Sequence, residues 1–263
     1  MLTREQIDHF ELFGFCLLPR ALSSSTVDAL RQEVLSTGER LFGALTPERA
    51  PFWFAAMSEA TPTSASLIVD EGELWGSAQQ LLGSNALPCP AEAGILFGDT
   101  FWHRDDPLGV RGVKLLAYLD PTPPGEGLLV LPLSHSKTTE RALTRFIARS
   151  GGGIESHGDH TEAWLLRLPG VLVVPTPGDL VAIDLHVWHA YRGRGRRLLW
   201  NGEYVARPET AEERDIAREK FASCRHSHAA EGSVWADWVA NRPRSPRRAN
   251  AISRLRMFDA FGE

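Results

Sequence analysis

The sequence predicts a mainly β fold with flanking helices, a barrel or sandwich of short strands. Three observations point there. Between about Gly94 and Val205, short apolar runs alternate with Gly and Pro breaks. The segments on either side carry apolar residues at helical spacing behind capping residues. A length of 263 residues suits one barrel-like domain with helical decoration.

The first helix opens at Thr3-Arg4-Glu5-Gln6, a capping-box pattern, presents Ile7 and Phe10 on one face and stops at Gly14. Phe15 to Leu18 reads as a short strand ended by Pro19. Ser23 to Ser25 offer an N-cap, and Val27, Leu30 and Val34 carry a second helix to about Phe42. Glu71–Leu82 is a further helix, although 43–90 is otherwise mixed. The expected strands are Gly94–Phe97, Val113–Leu119, Leu128–Leu133, Leu165–Leu168, Val171–Val174, Leu180–Val187 and Arg196–Val205. Thr138 to Ala163 interrupts them as an insertion of the kind that forms lids. Residues 209–221 read as helical, and Arg242 to Arg248 as a solvated tail. The expected organisation is one domain: a helical part over 1–90, a barrel over 91–205 and a helical tail over 206–263.

Composition excludes several classes. A formal charge of −5 gives no basis for a nucleic-acid partner or an anionic membrane surface. Cys16, Cys89 and Cys224 are odd in number and form no CxxC pair, which argues against a disulfide framework or a thiolate zinc site. The N-terminus shows no signal-peptide pattern, and no apolar run reaches the roughly 20 residues of a membrane span. A cytoplasmic protein acting on a small molecule is the expectation; nothing in the sequence sets an oligomeric state.

The strongest local signal is Phe101-Trp102-His103-Arg104-Asp105. In extended backbone, residues two apart point to the same side, so His103 and Asp105 aim an imidazole and a carboxylate at one point. The stretch Gly178 to His189 offers two partners. Val181, Ile183, Leu185 and Val187 share parity with His189, whereas His186 shares it with Asp184. The apolar parity should face the interior, which selects His189. Two histidines and a carboxylate with open positions form a facial triad for non-haem Fe(II). His157, His160 and the Cys224–His228 cluster fit no standard zinc spacing and read as solvated.

Together these segments resemble the phytanoyl-CoA dioxygenase family of Fe(II)/2-oxoglutarate oxygenases. The resemblance runs over about residues 2–205. It rests on Leu2–Gln6 through Phe13-Gly14-Phe15, on Gly98-Asp99-Thr100-Phe101-Trp102-His103-Arg104-Asp105, on Leu119-Asp120 with Gly127-Leu128 and Leu131-Pro132-Leu133-Ser134-His135, and on Gly178–Val181 with Trp188-His189. It implies a double-stranded β-helix, a jelly-roll or cupin-like barrel with helices on one side. It implies Fe(II), 2-oxoglutarate as co-substrate and O2, with His103, Asp105 and His189 as metal ligands. The implied activity is a dioxygenase that oxidises, typically hydroxylates, a small metabolite, as in bacterial secondary metabolism.

In that family an arginine after the distal histidine clamps the far carboxylate of 2-oxoglutarate, and bidentate carboxylate recognition suits Arg. Arg196 and Arg197 are the candidates. Arg196 shares parity with Leu198 and Trp200 and is expected to face inward; Arg197 shares it with Asn201 and Glu203 and is expected to face outward. Lys114, Leu116 and Tyr118 share the strand face that the resemblance places near the co-substrate, although ordinary core and surface roles rate higher. Leu133 stands where the family usually has Gly, and the gap from His189 to Arg196 is short for it. Two other classes remain: a cupin-like zinc or manganese hydrolase or isomerase, and a non-catalytic binding protein of the same fold.

Overall fold

The computed structural model describes residues 1–106, 109–149, 168, 170–224 and 245–258. The Leu165–Leu168 strand lies almost entirely outside these residues, as do the lid-like insertion beyond 149, His157, His160, and 225–228 of the tail cluster.

Helix α1 (Arg4–Phe13) begins as its sequence dictates. Gln6 N–H donates to Thr3 Oγ1 at 3.2 Å, and Thr3 N–H donates back to the Gln6 side chain at 2.9 Å. Gly14 closes it in the left-handed region at φ 80°. The strands are β1 (Phe15–Leu18), β2 (Phe52–Ala55), β3 (Leu87–Pro88), β4 (Glu92–Phe97), β5 (Gly112–Tyr118), β6 (Gly127–Val130), β7 (Val171–Val173), β8 (Leu180–Asp184), β9 (His189–Arg192) and β10 (Arg196–Val205). The remaining helices are α2 (Ser24–Phe42), α3 (Pro62–Val69), α4 (Gly72–Leu82), α5 (Lys137–Arg149), α6 (Ala211–Cys224) and α7 (Pro246–Arg256).

Two antiparallel sheets result. The larger has the order β1-β8-β5-β10-β4-β2, with β3 also on β10; the smaller has the order β7-β6-β9. Leu116, Tyr118, Val181, Ile183 and Leu199 of the larger sheet meet Leu128, Val130, Val173 and Tyr191 of the smaller in one buried cluster. The sheets therefore face each other, and the space between them becomes the site.

The opposite face of the larger sheet is equally dry. Ile95, Val113, Leu115, Ala117, Leu198, Trp200 and Tyr204 pack there against Val27, Leu30 and Val34 of α2 and Ile68, Leu74 and Leu81 of α3 and α4. Trp200 Nε1–H donates to Ser64 Oγ at 2.7 Å, and the Tyr204 hydroxyl donates to the Ile68 carbonyl at 2.9 Å. These buried polar tips keep partners as they must.

Several expectations need correction. Besides the expected β1, the helical part over 1–90 also contributes β2 and β3. The expected strand Leu180–Val187 ends at Asp184, and after a turn His189 starts β9 in the other sheet. The end of the basic tail is not solvated: α7 starts there, and Arg248, 6 % exposed, is ion-paired with Asp70 at 2.5 Å. Leu133 holds φ 66°, in the left-handed region that glycine adopts most readily.

The strand-face assignment of β10 is reversed. Leu198, Trp200 and Tyr204 point to the helices, whereas Arg197, Leu199, Asn201 and Glu203 face the space between the sheets. Arg196 is exposed and Arg197 is 4 % exposed. A strand covered on both faces has no solvent side, so apolar parity marks the helical layer here rather than the site. Replacing Trp200 with Ala should cost about 3–5 kcal/mol in urea unfolding. Arg196→Ala should stay within about 0.5 kcal/mol. Equal losses would contradict this register.

Candidate metal centre and co-substrate pocket

Between the sheets lies a cavity of about 380 Å³. His103, Asp105, Lys114, Tyr118, His189, Arg197, Asn201, Glu203 and Lys220 are among its lining residues.

Each of the three triad side chains is placed by backbone pairing. Residues 100–103 run along β9: His103 and His189 exchange both N–H···O bonds, at 2.9 and 3.0 Å, and so stand directly opposite one another. Thr100 N–H donates to the Tyr191 carbonyl at 2.9 Å. The turn that follows is caught by one acceptor, the Leu185 carbonyl, which takes both Asp105 N–H and Asp106 N–H at 3.1 Å. Ligand-capable atoms of His103, Asp105 and His189 all lie within 4.8 Å of one another. Asp105 Oδ1 is 3.9 Å from His103 Nε2, and Oδ2 is 3.8 Å from His189 Nε2.

The ring orientations suit ligation. His103 Nδ1 is 2.9 Å from the Phe101 carbonyl and His189 Nδ1 is 3.0 Å from the Val187 carbonyl. Each carbonyl takes a ring N–H, leaving both Nε2 atoms as lone-pair donors toward Asp105. Burial, reinforced by the neighbouring His103, pushes the His189 pKa down to about 4. Burial also opposes the charge on Asp105. Lys114 Nζ at 3.0 Å, with both imidazoles, outweighs it and holds the carboxyl well below the usual carboxylate range. Asp105 Oδ2 is buried without a hydrogen-bond partner. Two imidazole nitrogens beside an ionised carboxylate with an unpartnered oxygen are a donor set that fits a divalent metal.

His186 lies outside this group, its Nδ1 3.1 Å from Asp184 Oδ1. The structure thus brings together the three residues singled out in the sequence. The parity that selected His189 does not carry through, because a turn intervenes.

Arg197 forms the second feature. Its guanidinium donates through Nη1 to the Gly98 carbonyl and lies 3.9 Å over the Tyr191 ring. Nε and Nη2 are buried without a partner. Tyr118 and Tyr191 stack beside it at 5.6 Å, and burial raises both phenol pKa values, so both stay neutral donors. A buried fork with two free donors fits a carboxylate.

A chain of alternating charge closes the site. Lys114 is the cross-strand partner of Glu203, and Lys220 on α6 lies 2.8 Å from Glu203 and 3.0 Å from Asp106. The sequence reading missed Lys220, Glu92 and Trp53. Rarity is a signal that could have found the first: lysine occurs three times in the chain, and Lys114 and Lys220 both line the cavity.

The sequence matches no family model, and no curated protein matches it either. Solved structures do match. HygX from Streptomyces hygroscopicus, with nickel and 2-oxoglutarate bound, superposes with a TM-score of 0.62 at 19% identity, over 78% of this chain and 87% of HygX. The non-heme alpha ketoglutarate dependent carbocyclase SnoK from nogalamycin biosynthesis gives 0.58 at 20% identity, over 78% and 84%. AviO1 from Streptomyces viridochromogenes Tue57 gives 0.55 at 19% identity, over 80% and 99%. What the chain shares with them is the fold. No described helix is long and apolar enough to cross a membrane.

Removing Lys220 should expose how the charges are held. Lys220→Met leaves Asp106 and Glu203 buried without their shared cation, a change that typically costs about 3–5 kcal/mol. Urea unfolding at neutral pH should show that loss. A loss that is small would contradict the ion-pair chain.

Proposed function

We propose that the chain is an Fe(II)- and 2-oxoglutarate-dependent oxygenase that uses O2 to oxidise, most simply to hydroxylate, a small metabolite. We read its two facing sheets as a double-stranded β-helix of the phytanoyl-CoA dioxygenase type, the family its motifs resemble. One observation carries the proposal: a single cavity holds both the His103–Asp105–His189 cluster and a buried Arg197 with two unpartnered donors. A metal hydrolase on the same scaffold has no use for that arginine. The neighbours support the reading by fold: HygX has been solved with nickel and 2-oxoglutarate and with iron, and SnoK is alpha ketoglutarate dependent. A carbocyclase and an epimerase among them show that reaction outcome varies on this fold.

In this reading His103, Asp105 and His189 hold the metal. Arg197 receives the far carboxylate of 2-oxoglutarate, and Arg196 has no part in it. Bound there, the two groups supply the oxidising chemistry. The protein's own work is placement. Lys114 holds Asp105 Oδ1 and leaves Oδ2 as the oxygen that would bind the metal. The carbonyls of Phe101 and Val187 fix the imidazole tautomers. Leu116, Leu128 and Leu199 line the cavity and keep it apolar around the reacting groups.

Loss of a buried charged partner costs roughly 2–5 kcal/mol, or about thirtyfold to several thousandfold in affinity. Arg197→Ala should therefore raise the 2-oxoglutarate concentration needed for half-maximal succinate release by at least that lower factor, and Arg196→Ala should change it little. The reverse pattern would refute the assignment. Co(II) titration followed by ligand-field absorption tests the metal centre: His189→Ala should abolish tight binding and His186→Ala should leave it intact.

A further inference from the structure

We propose that Trp53, Glu92 and Asn201 form a subsite for a positively charged amino group of the substrate; the word substrate here rests on the oxygenase reading above. Three observations converge on one corner of the cavity.

The first is an unsatisfied acceptor. Asn201 is 1 % exposed and lines the cavity, and its Oδ1 has no hydrogen-bond partner. Its Nδ2 is turned to Glu92 Oε2 at 3.5 Å, on the cross-strand partner. That leaves the amide oxygen for a ligand donor. A buried carbonyl without a partner is costly, and a donor group on a ligand removes the cost.

The second is an aromatic face. Trp53 pairs with Gly94, two residues from Glu92 on the same face of β4. A Cβ on Gly94 would lie 2.7 and 2.8 Å from Trp53 ring atoms, so the indole can lie flat on the sheet only because the position is glycine. The ring thereby lines the cavity beside the Glu92 carboxylate. Carboxylate, amide oxygen and indole face are the groups that recognise an ammonium.

The third is separation from the co-substrate's anchor. Arg197 lies four residues along β10 from Asn201, about 13 Å at the rise of a strand, so the co-substrate's anchor does not crowd this corner.

The test uses ligand-observed NMR on the full chain without iron or 2-oxoglutarate, so it stands or falls separately from the oxygenase reading. Cyclohexylammonium, cyclohexanol and cyclohexanecarboxylate serve as probes of one shape and three charges. Cyclohexylammonium should bind at least about tenfold more tightly than cyclohexanol. Glu92→Gln and Asn201→Leu should each weaken it by about tenfold or more, as loss of a charged hydrogen bond does. Glu92→Asp should retain most of the binding, and Arg197→Ala should leave it unchanged. Thermal melts confirm that each variant is folded; if Asn201→Leu is not, Trp53→Leu takes its place with the same expectation. Cyclohexanol binding as tightly as the ammonium would overturn the proposal. So would ammonium binding that survives Glu92→Gln, or that depends on Arg197.

Discussion

The 3.0 Å contact between Lys114 and Asp105 is the interaction on which the rest of the site depends. Asp105 sits on a turn outside either sheet, and Lys114 is fixed within β5 in the larger one. The contact ties the turn to the sheet, holds one carboxylate oxygen and leaves the other for a ligand. It is also the first link of the chain through Glu203 and Lys220 to Asp106, the residue beside Asp105. Alternating charges let several ionised groups lie out of water together, where any one of them alone would be strongly disfavoured. The chain also fixes α6 against the cavity, so a helix beyond the strands takes part in the site.

A second constraint is that the larger sheet is covered on both faces. Helices α2, α3 and α4 take one face with aliphatic and aromatic side chains. The smaller sheet covers the other, with the cavity between them. Along β10 the helical side carries Leu198, Trp200 and Tyr204, and the cavity side carries Arg197, Asn201 and Glu203. Polarity on this strand marks chemistry rather than solvent.

That explains what could be read from residue order. The capping box at Thr3, the α2 stripe and most strands were legible, because local propensity and burial agree there. Strand β2 was not, since Phe52-Trp53-Phe54-Ala55 is too short for period to separate helix from strand. His103 and Asp105 were legible from their spacing. His189 was selected by a parity argument that the turn at 185–188 interrupts; the backbone pairing of residues 103 and 189 is what aligns the two rings. The inward-facing arginine was misread for a physical reason: an alternating strand was taken to have one wet face, whereas Arg197 is the one that lines the cavity. Lys220 comes to the site from α6, and no local pattern announces a contact across so much chain.

The account's central claim is that the His–Asp–His cluster and Arg197 are two halves of one site, filled by a metal and a dicarboxylate that chelates it. Its most direct test is an anaerobic absorption titration of the full chain with Fe(II) and 2-oxoglutarate. The expected result is a visible charge-transfer band that needs both additions and saturates at one equivalent of each per chain, and that is lost when Asp105 is replaced by Ala. A band that never develops, or one that survives intact in Asp105→Ala, would contradict it.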